Sequence, residues 1–337
     1  MNLYLTNNYL DMGAVISAPY PFVVVISARG GGKTYGTLKY LVENDLRFLY
    51  LRRSKTVLDL VTDPRYQPFK RLNEDLQLQI TPESGGKGLP VFRDRLAEGE
   101  PVIGYAAALS TIANVRGWDA SDVDVVVWDE FIPEPTERVY FNGFTAFANA
   151  LETIGRNREL EGRAPLKVVL LSNSNLIYGD VVEGLHIGDE LLTMQEKGIE
   201  ILEHSKDLLL VMPKLEAYAA AKADTALYRL TEGSSFEAVA LQNAFPVEDR
   251  SQIKRRPLAE YKPVCAVAGC CIYKHKTGRS WYVTDHVSGD PVIYQDSEAD
   301  QRRFFREQRA VTAAWLRRRV YFSGIDVQTR FKRLYNS

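Results

Sequence analysis

The sequence predicts an α/β protein built on a mostly parallel sheet with helices on both faces, followed by a smaller α+β domain. Three observations carry this. The run PFVVVISA from Pro21 is short, β-branched and apolar, as expected of a strand buried on both faces. It ends in glycines and is followed by TYGTLKYLVEN at near-helical spacing and by RFLYLRR, a second short strand, giving a β-α-β opening. Further buried-strand candidates, VIGYAAAL from Val102, VDVVVWDE from Val123 and LKVVLLSNS from Leu166, alternate with helical stretches. Sheets of this kind bind ligands at the carboxyl ends of their strands.

A chain of 337 residues with 45% hydrophobic composition can bury two cores. We expect the main domain over residues 1–200, a linker or small helical domain over 201–232 and a C-terminal domain over 233–337. The stretch from about Ile199 to Ser235 is helix-prone, with KLEAYAAAKAD as its clearest helical piece. Beyond it, VCAVAGCCIYK and SWYVTDH flank the turn-like HKTGR, which predicts a β-hairpin. PESGGKG, from Pro82, reads as a surface hairpin or loop.

Forty-two Lys and Arg stand against 43 Asp and Glu, so a uniformly basic nucleic-acid coat is excluded and only local basic surfaces remain. Cys265, Cys270 and Cys271 lack the spacing of a zinc site or a disulfide framework, which points to a reducing, cytoplasmic setting. The N-terminus shows no basic, apolar leader, and no stretch reaches the roughly 20 apolar residues of a membrane span.

The chemistry concentrates at the strand ends. Ser27-Ala28-Arg29-Gly30-Gly31-Gly32-Lys33-Thr34 follows the phosphate-loop pattern G-x-x-x-x-G-K-[ST], with Ser27 in place of the first glycine. In that pattern backbone N–H groups wrap the phosphates, the Lys neutralises charge and the hydroxyl ligates Mg²⁺, so ATP and Mg²⁺ are the expected ligands. VVVWDEF places Asp129 and Glu130 at the end of an apolar strand: the first suits the Mg²⁺ shell, the second a base that activates water. Hydrolysis is therefore expected. LKVVLLSNSN ends in polar groups aimed at the same edge, among which Asn173 could sense the γ-phosphate or simply mark the strand-to-loop transition. Arg156 and Arg158, in GRNRE at a helix end, are candidates for an arginine supplied to a neighbouring subunit, or are solvated. RRFFREQRAVTAAWLRRRVYF, near the C-terminus, reads either as a basic, aromatic surface for nucleic acid or an acidic partner, or as an amphipathic helix with Phe304, Phe305, Trp315 and Leu316 in the core.

SARGGGKT, YLRRSK, WDEF, RNRE and LSNS, in this order and spacing, resemble the DNA-packaging ATPases of phi29-like phages, and NVRGWD looks like the equivalent stretch of large terminase subunits. The likeness spans most of the first 200 residues and includes Arg29, which a generic phosphate loop does not require. It implies an additional-strand, catalytic-glutamate (ASCE) P-loop ATPase domain joined through a linker to a vestigial RNase H-like domain. It further implies a homo-oligomeric ring, a pentamer, at the portal of a phage prohead in the host cytoplasm, driving double-stranded DNA inward. In that scheme Lys33 and Thr34 bind phosphate and Mg²⁺, Asp129 the Mg²⁺, Glu130 activates water and Arg156 is the trans-acting finger. The C-terminal domain would meet the portal, a structural packaging RNA or DNA. Lys55, just past the second strand, is the first choice for gripping DNA, with Arg52 and Arg53 read as nucleotide or subunit contacts. The expected first C-terminal strand lacks the carboxylates of a two-metal nuclease, so no nuclease activity is expected. A P-loop helicase or loader would share every nucleotide-site residue. A nucleotide-regulated assembly protein without hydrolysis is disfavoured by Glu130, and a cutting terminase by the missing carboxylates.

Overall fold

The computed structural model describes residues 1–85, 89–115, 118–133, 143–173, 179–234, 237, 243, 245, 251–295 and 297–336. The chain divides into two compact units, Met1–Pro246 and Val247–Ser337. Among the described residues no helix is long and apolar enough to cross a membrane.

Among the described residues the first unit is built on nine strands in the order β3-β4-β5-β2-β6-β7-β1-β9-β8. Its six central members, β5 (Val102–Ala108), β2 (Phe48–Arg52), β6 (Val125–Asp129), β7 (Lys167–Ser172), β1 (Phe22–Ile26) and β9 (Leu208–Val211), are all parallel. Antiparallel partners extend both edges: β3 (Ile80–Glu83) and β4 (Val91–Asp94) beside β5, and β8 (Ile201–Ser205) beside β9. Val23, Val24, Val25 and Ile26 are fully buried, as are Val126, Val127 and Trp128, because helices cover both faces of a parallel sheet. On one face α1 (Met12–Ile16) and α2 (Lys33–Glu43) contribute Val15, Leu38 and Leu41 to a core with Phe48, Phe69 and Phe92. On the other, α5 (Gly143–Gly155) buries Phe147, Ala150 and Ile154 at helical spacing, with Phe147 against Trp128 at 4.9 Å between ring centroids.

β7 lies between β1 and β6. That is the additional strand the resemblance implies, and it brings the ends of three strands to one edge: Ile26 pairs with Ser172, and Asp129 with Leu171. Two further helices, α3 (Lys55–Val61) and α4 (Lys70–Leu76), connect β2 to the β3–β4 hairpin, whose tip at 86–88, within the PESGGKG loop, lies outside the described residues.

Two boundaries differ from expectation. The main unit does not stop at 200, because Ile201–Ser205 and Leu208–Val211, read from sequence as helix-prone, form an antiparallel pair whose second strand aligns with β1. Short helices α6 (Asp180–Gly184) and α7 (Gly188–Lys197) precede this pair, while α8 (Glu216–Ala223) and α9 (Ala226–Leu230) follow it within the same unit. The second unit therefore begins near 247 rather than 233.

The second unit holds a five-stranded mixed sheet in the order β13-β10-β11-β12-β14. VCAVAGCCIYK is a hairpin in its own right, β10 (Tyr261–Val267) turning into β11 (Cys270–His275), and a second hairpin leads to β12 (Trp281–Thr284). β13 (Val292–Tyr294) runs parallel to β10, and β14 (Val320–Phe322) parallel to β12. The basic C-terminal run folds as α10 (Glu298–Glu307), α11 (Arg309–Leu316), β14 and α12 (Ile325–Asn336), with Phe304 and Val311 fully buried and Leu316 77% exposed. The three cysteines are buried and free.

Gly104 in β5 makes one stability prediction. A Cβ there would stand 2.5 Å from the Phe48 ring, and Phe48 is locked against Phe69 and Phe92. Gly104→Ala therefore destabilises the main unit by about 1–3 kcal/mol through overpacking, read as a lower denaturant midpoint. An unchanged midpoint would mean that the aromatic cluster yields at no cost.

Candidate nucleotide site

Polar groups end β1, β6 and β7 at one edge of the sheet, where the loop 27–32 leads into α2. Gly32 precedes the helix with φ 92°, in the left-handed region that favours glycine. The first turn of α2 thus presents its free amides and the positive end of its dipole toward this edge, an anion site by construction.

Lys33 is 8% exposed, and its ammonium donates to four neutral oxygens: Ser27 O at 2.9 Å, Ser27 Oγ at 3.0 Å, Ala28 O at 3.1 Å and Asn173 Oδ1 at 2.9 Å. Burial lowers its pKa to about 8, with Arg29 and Lys222 adding repulsion against the pull of Asp129 and Glu130. A buried cation held by neutral dipoles is incompletely compensated, and a polyphosphate would supply the missing charge. Ser27, in the place of the first glycine, is fully buried and uses its hydroxyl to accept from Lys33.

Thr34 Oγ1 donates to Asp129 Oδ2 at 3.0 Å. A hydroxyl and a carboxylate converging from adjacent elements beside an anion site are the donor set a hard divalent cation takes, so the residues fit ATP with Mg²⁺. The buried Tyr50 hydroxyl donates to the same Asp129 oxygen at 2.5 Å, and burial beside that carboxylate pushes the phenol well above its ordinary range. Arg52 NH1 stands 3.4 Å from Asp129 Oδ2, while its NH2 pairs with Glu130. Glu130 itself is at φ 58° with its side chain 58% exposed, turned out of β6. The surrounding pocket, about 980 Å³, is lined by residues 29–36, Asp129, Glu130, Ser172 and Asn173 and by N-terminal residues including Leu5, Asn7 and Tyr9.

Ser27 to Thr34, Asp129, Glu130 and Asn173 are thus brought together. Other residues singled out from the sequence lie elsewhere. Arg156 follows the end of α5 at φ 42° and donates to Trp118 O at 2.7 Å, and Arg158 donates to Val123 O at 2.8 Å. Both carbonyls precede β6, so these arginines sit at the sheet edge opposite their own phosphate loop. Lys55 opens α3 and pairs with Asp59 on the surface. Arg53 is not a nucleotide contact: it is 4% exposed, donates to Phe131 O, pairs with Asp180 at 3.4 Å and lies over Trp128. Arg52 meets the acids rather than open space. Of the polar groups after β7, Ser172 is buried and its hydroxyl accepts from Ile132 N at 3.3 Å, while Ser174 and Asn175 lie outside the described residues. Sequence reasoning missed Tyr50, whose only signal is a phenol inside an apolar strand, and the N-terminal wall of the pocket, which has none.

A family model described as Podovirus DNA encapsidation protein (Gp16) matches residues 7–292. Among solved structures, the chain is similar to the bacteriophage Phi-29 viral genome packaging motor assembly, with 17% identity over 99% of each chain and a TM-score of 0.66. It is also similar to the Phi-28 gp11 DNA packaging motor, with 16% identity, a TM-score of 0.62 and coverage of 96% of this chain and 97% of that one. At these identities the structural likeness speaks for the fold. No curated protein matches the sequence.

Proposed function

The chain belongs to the podovirus DNA encapsidation protein (Gp16) family, and from that premise we propose that it hydrolyses ATP as one subunit of a ring that drives double-stranded DNA into a phage prohead. The observation that carries the catalytic half is the convergence of Lys33, Thr34, Asp129 and Asn173 at one sheet edge, with Glu130 next in the chain. In this reading the loop amides and the Lys33 ammonium bind the phosphates, and Asn173, whose oxygen accepts from Lys33, donates its amide N–H to the γ-phosphate. Thr34 and Asp129 would hold Mg²⁺, which when bound would supply positive charge against the charge that develops on the phosphates. Glu130 takes a proton from the attacking water. Arg156 completes the site of a neighbouring subunit, since it faces away from its own.

The motor half rests on the family and on charge. Val247–Ser337 carries 18 Lys and Arg against 10 Asp and Glu, in a chain that is otherwise acidic; such a unit suits a polyanion, whether packaging RNA or DNA, or an acidic portal surface. Lys55, on the surface at the start of α3, is the proposed grip on the DNA backbone. β10 offers no carboxylate, and Asp285, just past β12, accepts from Thr284 Oγ1; these support a motor that does not cut. The place of action is the portal vertex in the host cytoplasm.

The test is phosphate release by the purified chain with Mg-ATP, with and without duplex DNA. DNA raises turnover several-fold. Turnover indifferent to DNA sinks the motor reading, and separation of a forked duplex into single strands would replace it with a helicase.

A further inference from the structure

The phosphate-loop pattern leaves four variable positions, here Ala28, Arg29, Gly30 and Gly31, and phosphate chemistry does not require the last two to be glycine. The structure supplies a different reason. A Cβ on Gly30 would stand 2.2 Å from Tyr218 Oη, and a Cβ on Gly31 would stand 2.4 Å from Leu215 Cδ1. Both neighbours belong to α8 or its first flank, some 185 residues downstream. Gly30 also sits at φ 80°, where the backbone itself favours glycine, so Gly31 is the position at which the seated helix alone accounts for the missing side chain.

What α8 does there follows from peptide geometry. The Arg29 carbonyl accepts from Lys222 Nζ at 2.8 Å and from Tyr218 Oη at 3.3 Å. In a trans peptide, C=O and N–H point in opposite directions, so a carbonyl held outward turns the Gly30 N–H inward, toward the phosphate site. The next peptide but one is held similarly: Gly31 O accepts from Leu10 N at 3.2 Å, which turns the Gly32 N–H inward. A cationic donor on the carbonyl also polarises the peptide and strengthens its N–H as a donor. Lys222 is itself fixed, with its ammonium 5.3 Å from the Tyr218 ring centroid and 5.2 Å from that of Tyr228, and Tyr218 packs on Tyr9 at 5.5 Å.

We propose that Lys222 and Tyr218 are positioning residues for the phosphate cradle, bracing the loop from outside so that nucleotide occupancy and the order of α8 are linked. This rests on the nucleotide-binding reading above. Linkage is reciprocal: if α8 orders the amides for phosphate, phosphate orders α8.

The test uses the full chain, a fluorescent ATP analogue and hydrogen exchange. Lys222→Met weakens nucleotide binding about tenfold, the scale of one charge-assisted hydrogen bond, while the melting temperature without nucleotide stays unchanged. Lys222→Arg, which keeps a cationic donor, restores most of the affinity. Bound nucleotide slows exchange over Glu216–Ala223 in the parent chain and not in Lys222→Met. If Lys222→Met lowers melting as well, the arginine variant decides, because a packing role would not be rescued by so different a head group. Parent-like affinity in Lys222→Met, or α8 exchange that ignores nucleotide in the parent chain, overturns the brace and leaves the ATPase reading standing. A parent chain that binds no nucleotide overturns both.

Discussion

Glu130→Gln lowers ATP turnover by roughly 10²- to 10⁴-fold, the range of a lost general base, while nucleotide affinity stays within about threefold. The substitution keeps the shape of the side chain while removing its basicity and the negative charge that pairs with Arg52. In the proposed site affinity is spared because the groups assigned to the phosphates and the cation are others: Lys33, the loop amides, Thr34 and Asp129. The Arg52 guanidinium engages both acids, but unequally in consequence. Asp129 is nine-tenths buried and also held by Tyr50 and Thr34, so its position is fixed. Glu130 is turned outward and paired with Arg52, so in the proposed mechanism that pair opens before Glu130 meets the attacking water. Single-turnover hydrolysis beside equilibrium binding separates the two effects. A loss in turnover below threefold would assign the base elsewhere.

The parts of this fold that could be read from sequence share one physical property: local pattern and tertiary environment agree. FVVVI and VVVWD are apolar at every position because both faces of a parallel strand are covered, and a glycine loop opening a helix has few other uses. The misread parts are those where the usual local signal is missing. Ala268 and Gly269 turn the β10–β11 hairpin with both φ positive, at 46° and 70°; that turn ordinarily shows as Asn-Gly, and Ala-Gly inside VCAVAGCCIYK hid it. ILEHSKDLLLV is too mixed and too short to declare two strands, and LLLV is a strand because β1 offers it an edge to pair with. Arg52 and Arg53 are adjacent and chemically identical. The end of β2 sends Arg52 to the acids at the nucleotide edge and Arg53, one residue past the strand, over the Trp128 ring, and nothing in YLRRSK says which goes where. The brace from α8 is a contact over some 190 residues, for which the extra glycines were the one trace.

Arg156→Ala, assembled as a ring of identical subunits, lowers turnover by about 10³- to 10⁵-fold, the contribution of an arginine that stabilises charge on a transferring phosphoryl group. In its own chain Arg156 follows α5 and bonds Trp118 O, at the sheet edge away from the loop 27–34. It cannot serve the site it is covalently attached to without unmaking that edge, so any direct part in the chemistry of hydrolysis requires a second copy. Mixing tests this directly. An Arg156→Ala subunit retains Glu130, and a Glu130→Gln subunit retains Arg156; where the second donates its arginine to the first, one complete site reappears. Mixtures of the two inactive variants therefore regain a measurable share of parent turnover, rising with the fraction of mixed interfaces, whereas each variant alone stays inactive. If Arg156→Ala alone turns over near the parent rate, Arg156 is a solvated helix end. If it is inactive and mixing restores nothing, the arginine supports its own subunit's fold instead, and the arginine that crosses between subunits must be sought elsewhere, beginning with Arg158, which also lies at that edge.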